Sequence, residues 1–172
     1  INSSNLRNDI KVFEFDPDAH SFGKGGAEIT DVKLLNDDGN FLSWIIGGEY
    51  VRLRVLIDIH KIIDSPIVGF FIKDKLGQTL FGDNTYLTYE DNPQKSDKGG
   101  QLQADFCFLM PVLPAGNYSI TVAVADGTQE IHEQLHWIHD AIIFKSESSS
   151  VSTGLIGIPM QEIKIEILNN HD

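Results

Sequence analysis

The residues whose types and spacing come nearest to a catalytic motif are His132, Glu133 and His136, which fit the pattern H-E-x-x-H. In zinc hydrolases with this pattern, one helical turn brings both histidines to one metal ion, and the glutamate activates the bound water. Here residues 118–124 alternate as a strand does and 137–144 are apolar, so the flanks predict β structure. In an extended chain the two histidines would lie about 13 Å apart, too far for one zinc ion. The sequence therefore predicts a loop or hairpin at 132–136, with a zinc-dependent hydrolase as an alternative function.

Other catalytic motifs are weaker still. Gly23-Lys24-Gly25-Gly26 lacks the spacing of a phosphate-binding loop and predicts a flexible turn. The sequence contains no G-x-S-x-G nucleophile elbow, and the neighbouring carboxylates Asp37 and Asp38 occupy a predicted turn. The one cysteine, Cys107, lies in a strand-like run, where we expect a small packed side chain. We therefore predict no catalytic residue, no metal site and no cofactor.

The elements that must position any functional residue are predicted to be strands. Residues 50–59 alternate strictly, with Val51, Leu53 and Val55 on one side and Arg52 and Arg54 on the other. Turn-forming residues separate this run from similar runs at 101–109, 118–124 and 161–168, apolar runs at 67–73 and 137–144, and weaker ones at 10–15 and 27–35. Many short strands between turns predict an all-β, immunoglobulin-like antiparallel β-sandwich at 25–172. Residues 1–24 are predicted to be a leader or linker with one short strand.

Charge and length exclude several classes of partner. The 172 residues carry a net charge of -12, which argues against nucleic acid and against an anionic membrane surface. No apolar run reaches the roughly 18 residues that a membrane span needs, so we expect no direct membrane insertion. The chain begins at Ile1 rather than at Met, and we expect it to be a fragment of a longer protein or a processed one.

A polar surface is predicted where two of these strands become neighbours. If 50–59 and 101–109 pair, their solvent side carries Arg52, Arg54, Asp58, Gln101, Gln103 and Asp105. These side chains can form several hydrogen bonds each, as sugar hydroxyls require, and Trp44 could supply an aromatic plane. The alternative is an ordinary polar sheet face, as in a structural assembly or adhesion β-sandwich whose polar face binds nothing. Asn84 and Thr85 could likewise bind a ligand hydroxyl or cap a turn.

Seven runs, in their order and spacing, resemble the C-terminal domain of Wzt, the nucleotide-binding subunit of the ABC transporter that exports O-antigen polysaccharide. The resemblance extends over about residues 25–168. The runs are GAEITDV (26–32), GEYVRL (48–53), PIVGFFIKD (66–74), GQTLFGDNT (77–85), LPAGNY (113–118), HWIHDA (136–141) and GLIGIP (154–159).

The resemblance implies a non-catalytic sandwich that binds the exported O-antigen glycan, often through its modified non-reducing end. It implies an N-terminal ATPase domain beyond this chain, a membrane subunit of the transporter as a partner, and a cytoplasmic location at the inner membrane. It also implies a homodimer, in which the predicted strand 161–168 could pair with the partner's sheet. It further implies mainly structural roles for Trp137, His139 and Asp140.

Overall fold

The computed structural model describes residues 7–149 and 154–168, and these form two facing antiparallel sheets. The smaller sheet has the order β3-β5-β8, and the larger has the order β4-β1-β10-β9-β6-β7, with β2 also paired to β10. The predicted all-β sandwich is confirmed. Its strands are β1 (Asn8–Val12), β2 (Ser21–Phe22), β3 (Ala27–Leu35), β4 (Trp44–Ile45), β5 (Tyr50–Ile59), β6 (Pro66–Asp74), β7 (Thr79–Asn84), β8 (Gln101–Leu109), β9 (Gly116–Gly127) and β10 (His132–Ser149), with a one-turn helix α1 (Tyr86–Tyr89).

The predicted pairing of β5 with β8 is confirmed, and the structure supplies the register. Arg52 lies opposite Cys107, and Arg54 lies opposite Asp105. The alternate side chains of β5 are buried from Val51 to Ile59, as the strict alternation of the sequence predicts. This register places the polar residues of both strands on one outer surface.

Aromatic and aliphatic side chains from both sheets fill the space between them. Phe70 on β6 packs against Phe106 and Phe108 on β8, with ring centroids 4.9 and 5.8 Å apart. Both β8 rings are only half-buried, because β8 is the last strand of the smaller sheet. The core therefore reaches the side of the sandwich where β7 and β8 end the two sheets.

The sandwich begins before residue 25, earlier than the boundary predicted from the sequence. β1 pairs with both β10 and β4, and it buries Ile10 and Val12 in the core. The buried Asn8 amide Nδ2 donates hydrogen bonds to the Leu113 carbonyl and the Ser146 hydroxyl. The short strand expected in this stretch is therefore β1 of the larger sheet, because its apolar side chains pack into the core between the two sheets.

The C-terminal part of the chain departs from the strand pattern of its sequence. β10 continues through the serines that follow Lys145 and ends at Ser149. Residues 161–168 form no strand within the described chain, so that prediction is wrong for the single protomer. Ile165 is 94% exposed and Ile167 is 86% exposed. A strand must pair its backbone with a neighbour, and this segment has none here.

Candidate functional site

The structure brings together six of the seven residues predicted to contact a glycan, on the outer surface of the smaller sheet. Asp105 Oδ2 accepts a hydrogen bond from Arg52 Nη1 at 3.0 Å, and Oδ1 accepts one from Arg54 Nε at 2.9 Å. Arg54 Nη2 adds a third bond at 3.1 Å. Gln101 Nε2 donates to Asp58 Oδ1 at 3.1 Å, and Gln103 lies 3.5 Å from Asp105. We call this surface the polar face.

The charged groups of the polar face are largely occupied with one another. Partial burial of Asp105 raises the pKa of its carboxyl, but the hydrogen bonds and charges of Arg54 and Arg52 outweigh burial, so the pKa lies below its usual range. The guanidinium groups therefore have a carboxylate partner already. Trp44 does not join them, because β4 lies at an edge of the larger sheet, where its indole Nε1 donates to Asp9 at 3.3 Å.

The residues of the H-E-x-x-H pattern lie at the start of β10, paired with β9 in a hairpin, as predicted. His132 Nδ1–H donates to the Thr128 carbonyl at 3.0 Å. His136 Nδ1 instead accepts the backbone N–H of Ile29 on β3, at 2.9 Å. Burial lowers the pKa of His136, with Glu28 opposing the shift. The two imidazoles thus bond to separate parts of the backbone, and the strand lacks the helical turn that the zinc motif requires.

A groove of about 470 Å³ crosses the outer surface of the larger sheet, and no motif of the sequence predicts it. Its floor is made of small residues on adjacent strands, where Gly69 of β6 lies opposite Ala123 of β9. Ala125 continues the floor two residues further along β9. Gly82 of β7 forms part of the wall, where a Cβ atom would collide with the Phe70 carbonyl oxygen. Small side chains on neighbouring strands therefore create the depression.

Aromatic rings form one wall of the groove and continue beyond it. Trp137 of β10 lies between Phe71 of β6, at 5.6 Å between ring centroids, and Phe22 of β2, at 5.8 Å. The row continues through His139 to His20, whose rings are 5.6 Å apart. We call these five rings the aromatic strip. Phe22 is 50% exposed, so the strip offers a ring surface to solvent, and it includes residues of the stretch predicted to be a leader.

Polar residues line the same groove. Gln134 is one of them, but its Oε1 is buried and accepts no hydrogen bond within the described part of the chain. A buried acceptor without a partner costs about 1–3 kcal/mol, and a ligand hydroxyl would remove this penalty once the Gln134 side chain turns towards the groove. Asn84 lines the groove, and its Oδ1 accepts the Tyr86 N–H. Thr85 Oγ1 accepts the Val68 N–H, so its hydroxyl forms a structural bond to the backbone, which was the alternative to binding a ligand.

The groove combines a flat apolar ring surface with hydrogen-bonding groups at its side. Such a combination suits a sugar, which has apolar C–H faces and a rim of hydroxyl groups. Within residues 7–149 and 154–168, no group of three or more His, Cys, Asp or Glu side chains is arranged to hold a metal ion. In the same residues, no helix is long and apolar enough to cross a bilayer.

A β-bulge explains why sequence alternation missed the groove. Gln134 lies opposite Ala125, but His136 lies opposite Val124, so the register of β10 shifts by one residue between them. The shift puts Gln134 and Trp137 on the same outer surface, whereas strict alternation would put them on opposite surfaces. One local signal does point to the groove. Phe70 and Ile72 face the core, so alternation puts the large aromatic side chain of Phe71, which lies between them, on the outer surface.

Two comparisons with known proteins agree with each other. The family model described as "Wzt C-terminal domain" matches residues 18–158. A solved structure, the crystal structure of the C-terminal domain of wzt, superposes with a TM-score of 0.74 at 21% identity, covering 88% of this chain and 91% of that one. No curated protein sequence matches the chain. At that identity the solved structure shows the shared fold, while the family model covers most of the sequence, and the chain therefore belongs to the Wzt C-terminal domain family.

Proposed function

We propose that this domain recognises O-antigen polysaccharide for an ABC transporter and that the sugar binds in the groove of the larger sheet. Membership of the Wzt C-terminal domain family supports a carbohydrate-binding role in that transporter. The observation that carries the proposal is the unbonded, buried Gln134 Oε1 beside the half-buried ring of Trp137. Gln134 Oε1 is a hydrogen-bond acceptor for a sugar hydroxyl, and the Trp137 ring is a flat apolar surface for the C–H face of a sugar ring.

The dimensions of the site favour recognition of a short part of a long chain. A groove of about 470 Å³ lies within the range of small-molecule sites, so it has room for one or two sugar rings. The aromatic strip extends past the groove to His20 and gives neighbouring sugars a further surface. We propose that the groove holds the modified non-reducing end and that the following sugars lie along the strip.

The polar face is the second proposed location for the glycan. Arg52, Arg54 and Asp105 converge there, and Arg in particular suits an anionic substituent. Binding there would require a ligand to compete with the existing Arg–carboxylate bonds. The groove requires no such exchange, which is why we place the principal site there.

The proposed assembly is a homodimer within the transporter, on the cytoplasmic side of the inner membrane. The exposed alternating residues of 161–168 favour pairing with another copy of the chain, because pairing would bury Ile163, Ile165 and Ile167. β8 is an edge strand among the described strands and offers a place for such pairing. We further propose that an ATPase domain and a membrane subunit complete the transporter.

Isothermal titration of the domain with the O-polysaccharide of the producing bacterium tests the function. We expect saturable binding, and no binding of polysaccharides from unrelated strains. A domain that binds none of these glycans while retaining its folded far-ultraviolet spectrum would show that the proposed function is wrong. Metal analysis of the same sample tests the hydrolase alternative, which requires stoichiometric zinc at His132 and His136.

A further inference from the structure

The loop that follows β2 is bonded directly to the bulge of β10. The Lys24 N–H donates to the Gln134 carbonyl oxygen at 3.0 Å. The next N–H of the loop, that of Gly25, donates to the Leu135 carbonyl oxygen at 2.9 Å. Leu135 is the extra residue of the bulge, because Gln134 and His136 lie opposite consecutive residues of β9. A bulge disrupts the regular ladder, so these two bonds help to fix where the extra residue is accommodated.

Gly23 allows this loop to lie against the bulge. Its φ is 146°, a value that residues with a side chain rarely adopt. A Cβ atom at this position would collide with the Leu135 carbonyl group and with Cα of His136. The glycine-rich run 23–26, which predicted only a flexible turn, therefore makes a defined contact with β10.

His136 bonds the same bulge to the other sheet. Its Nδ1 accepts the Ile29 N–H at 2.9 Å, which joins β10 to β3. Among the described strands β3 is the last of the smaller sheet on this side, so no strand beyond it supplies that acceptor. Leu135, next to His136, is 1% exposed and belongs to the core. The bulge is thus held by the loop after β2 and by β3, in addition to β9.

We propose that the loop 23–25 and His136 position the glycan site by fixing the register of β10. This inference rests on the proposed function and names positioning residues for the same site. Gln134 precedes the bulge and Trp137 follows it, so both lie on the outer surface only while the extra residue stays between them. Loss of either contact allows part of the population to adopt another register. The apparent dissociation constant then rises in inverse proportion to the fraction that remains competent.

The first test measures glycan affinity and the environment of Trp137 in the same samples. The sequence has two tryptophans, so a Trp44→Phe background leaves Trp137 as the only tryptophan emitter. In this background Gly23→Ala should weaken binding of the producing bacterium's O-polysaccharide by about fivefold or more, which corresponds to a competent fraction of about one fifth or less. We expect Trp137 emission to shift while the far-ultraviolet spectrum stays that of the folded domain.

Gly39→Ala is the matched control for backbone strain. It also places a side chain at a positive φ, in the turn between β3 and β4, but the added Cβ meets open space. This variant should change neither glycan affinity nor Trp137 emission, because strain in that turn does not reach the bulge.

The second test separates the bond of His136 from its packing. His136→Leu removes the acceptor for the Ile29 N–H and should weaken glycan binding about fivefold, the scale of one hydrogen bond. His136→Asn keeps an acceptor near the position of Nδ1 and should bind within about twofold of the unsubstituted domain. Asn is smaller than Leu, so a role in packing alone would weaken His136→Asn at least as much as His136→Leu.

Each result supports or overturns the proposal. Unchanged affinity in Gly23→Ala would overturn it, and so would a loss of affinity without a change in Trp137 emission. If Gly23→Ala fails to fold, the His136 pair decides: binding by His136→Asn that is no tighter than binding by His136→Leu overturns the positioning role. An unsubstituted domain that binds no glycan overturns the proposed function itself, and Trp137 emission then tests the register of β10 by itself.

Discussion

The groove and the polar face are built from the same kind of strand but differ in how their polar groups are satisfied. On the polar face, Asp105 accepts hydrogen bonds from both Arg52 and Arg54, so these three charged groups are bonded to one another. Beside the groove, Gln134 Oε1 is buried and accepts no hydrogen bond from the described residues, and the ring of Trp137 remains partly open to solvent. Residue types alone favoured the polar face, because Arg and Gln are strong hydrogen-bonding residues.

The difference shows that a binding surface is better identified by unmet bonding capacity than by polar composition. A paired ion cluster must lose its own bonds before it gains those of a ligand. A buried acceptor that has no hydrogen bond gives up no existing bond when a ligand binds to it. An exposed aromatic ring becomes buried against the ligand, which favours binding. Three experiments test this comparison between the two surfaces, and a fourth tests a bond that links the two sheets.

The largest expected effect is that of Trp137→Ala. Loss of a central aromatic contact in a binding site typically costs about 2 kcal/mol or more, which corresponds to roughly 30-fold weaker glycan binding. Titration calorimetry measures the change. Arg52→Ala is the matched variant on the polar face and should alter affinity less than twofold. If Arg52→Ala abolishes binding and Trp137→Ala does not, the glycan site is the polar face.

A smaller effect is expected for Gln134→Met, which keeps the length of the side chain and removes its acceptor. One lost hydrogen bond corresponds to about 0.5–1.5 kcal/mol, or roughly 2- to 12-fold weaker binding. The same change removes a buried unbonded atom, so thermal stability should stay equal or rise. The control is Gln103→Met on the polar face, for which we expect unchanged affinity. Equal affinity of Gln134→Met and the unsubstituted domain would exclude a ligand bond to Oε1.

His136 links β10 of the larger sheet to β3 of the smaller one, and its protonation should weaken that link. Burial lowers the pKa of His136 in the folded domain, so the unfolded chain binds the proton more tightly. The free energy of unfolding should therefore fall as the pH falls below about 6.5, the ordinary pKa of histidine. His136→Asn retains an acceptor for the Ile29 N–H and does not titrate there. Urea unfolding between pH 7.5 and 5.5 should show that the free energy of unfolding depends less on pH in this variant than in the unsubstituted domain. The same dependence in both proteins would show that protonation of His136 does not weaken the link between the sheets.

The smallest effect is expected for Arg54→Ala on the polar face. Exposed ion pairs contribute about 0.2–1 kcal/mol, and Asp105 keeps its bond to Arg52. We expect a loss of stability of at most about 1 kcal/mol by chemical unfolding, with less than twofold change in glycan affinity. High salt should reduce the difference in stability between the two proteins. A larger loss that salt leaves unchanged would mean that the side-chain stem of Arg54, and not its charge, packs against the sheet.

Much of the architecture followed from local sequence patterns. Strict alternation identified β5 and its buried side, because side chains on a strand alternate between two surfaces. The immunoglobulin-like topology made β8 the neighbour of β5, and the alternation of both strands then predicted the polar face. The flanks of H-E-x-x-H predicted the hairpin. The ordered family runs predicted the Wzt C-terminal domain, which the family match confirms.

The tertiary structure alone decided where β1 packs, whether 161–168 forms a strand in one protomer, and how the groove is assembled. The groove draws on β6, β7, β9 and β10, which are distant in sequence, and its aromatic strip also needs Phe22 of β2. A one-residue bulge in β10 turns Gln134 and Trp137 to the same surface. No local periodicity encodes that shift, because a bulge reverses the inside–outside assignment of every residue that follows it.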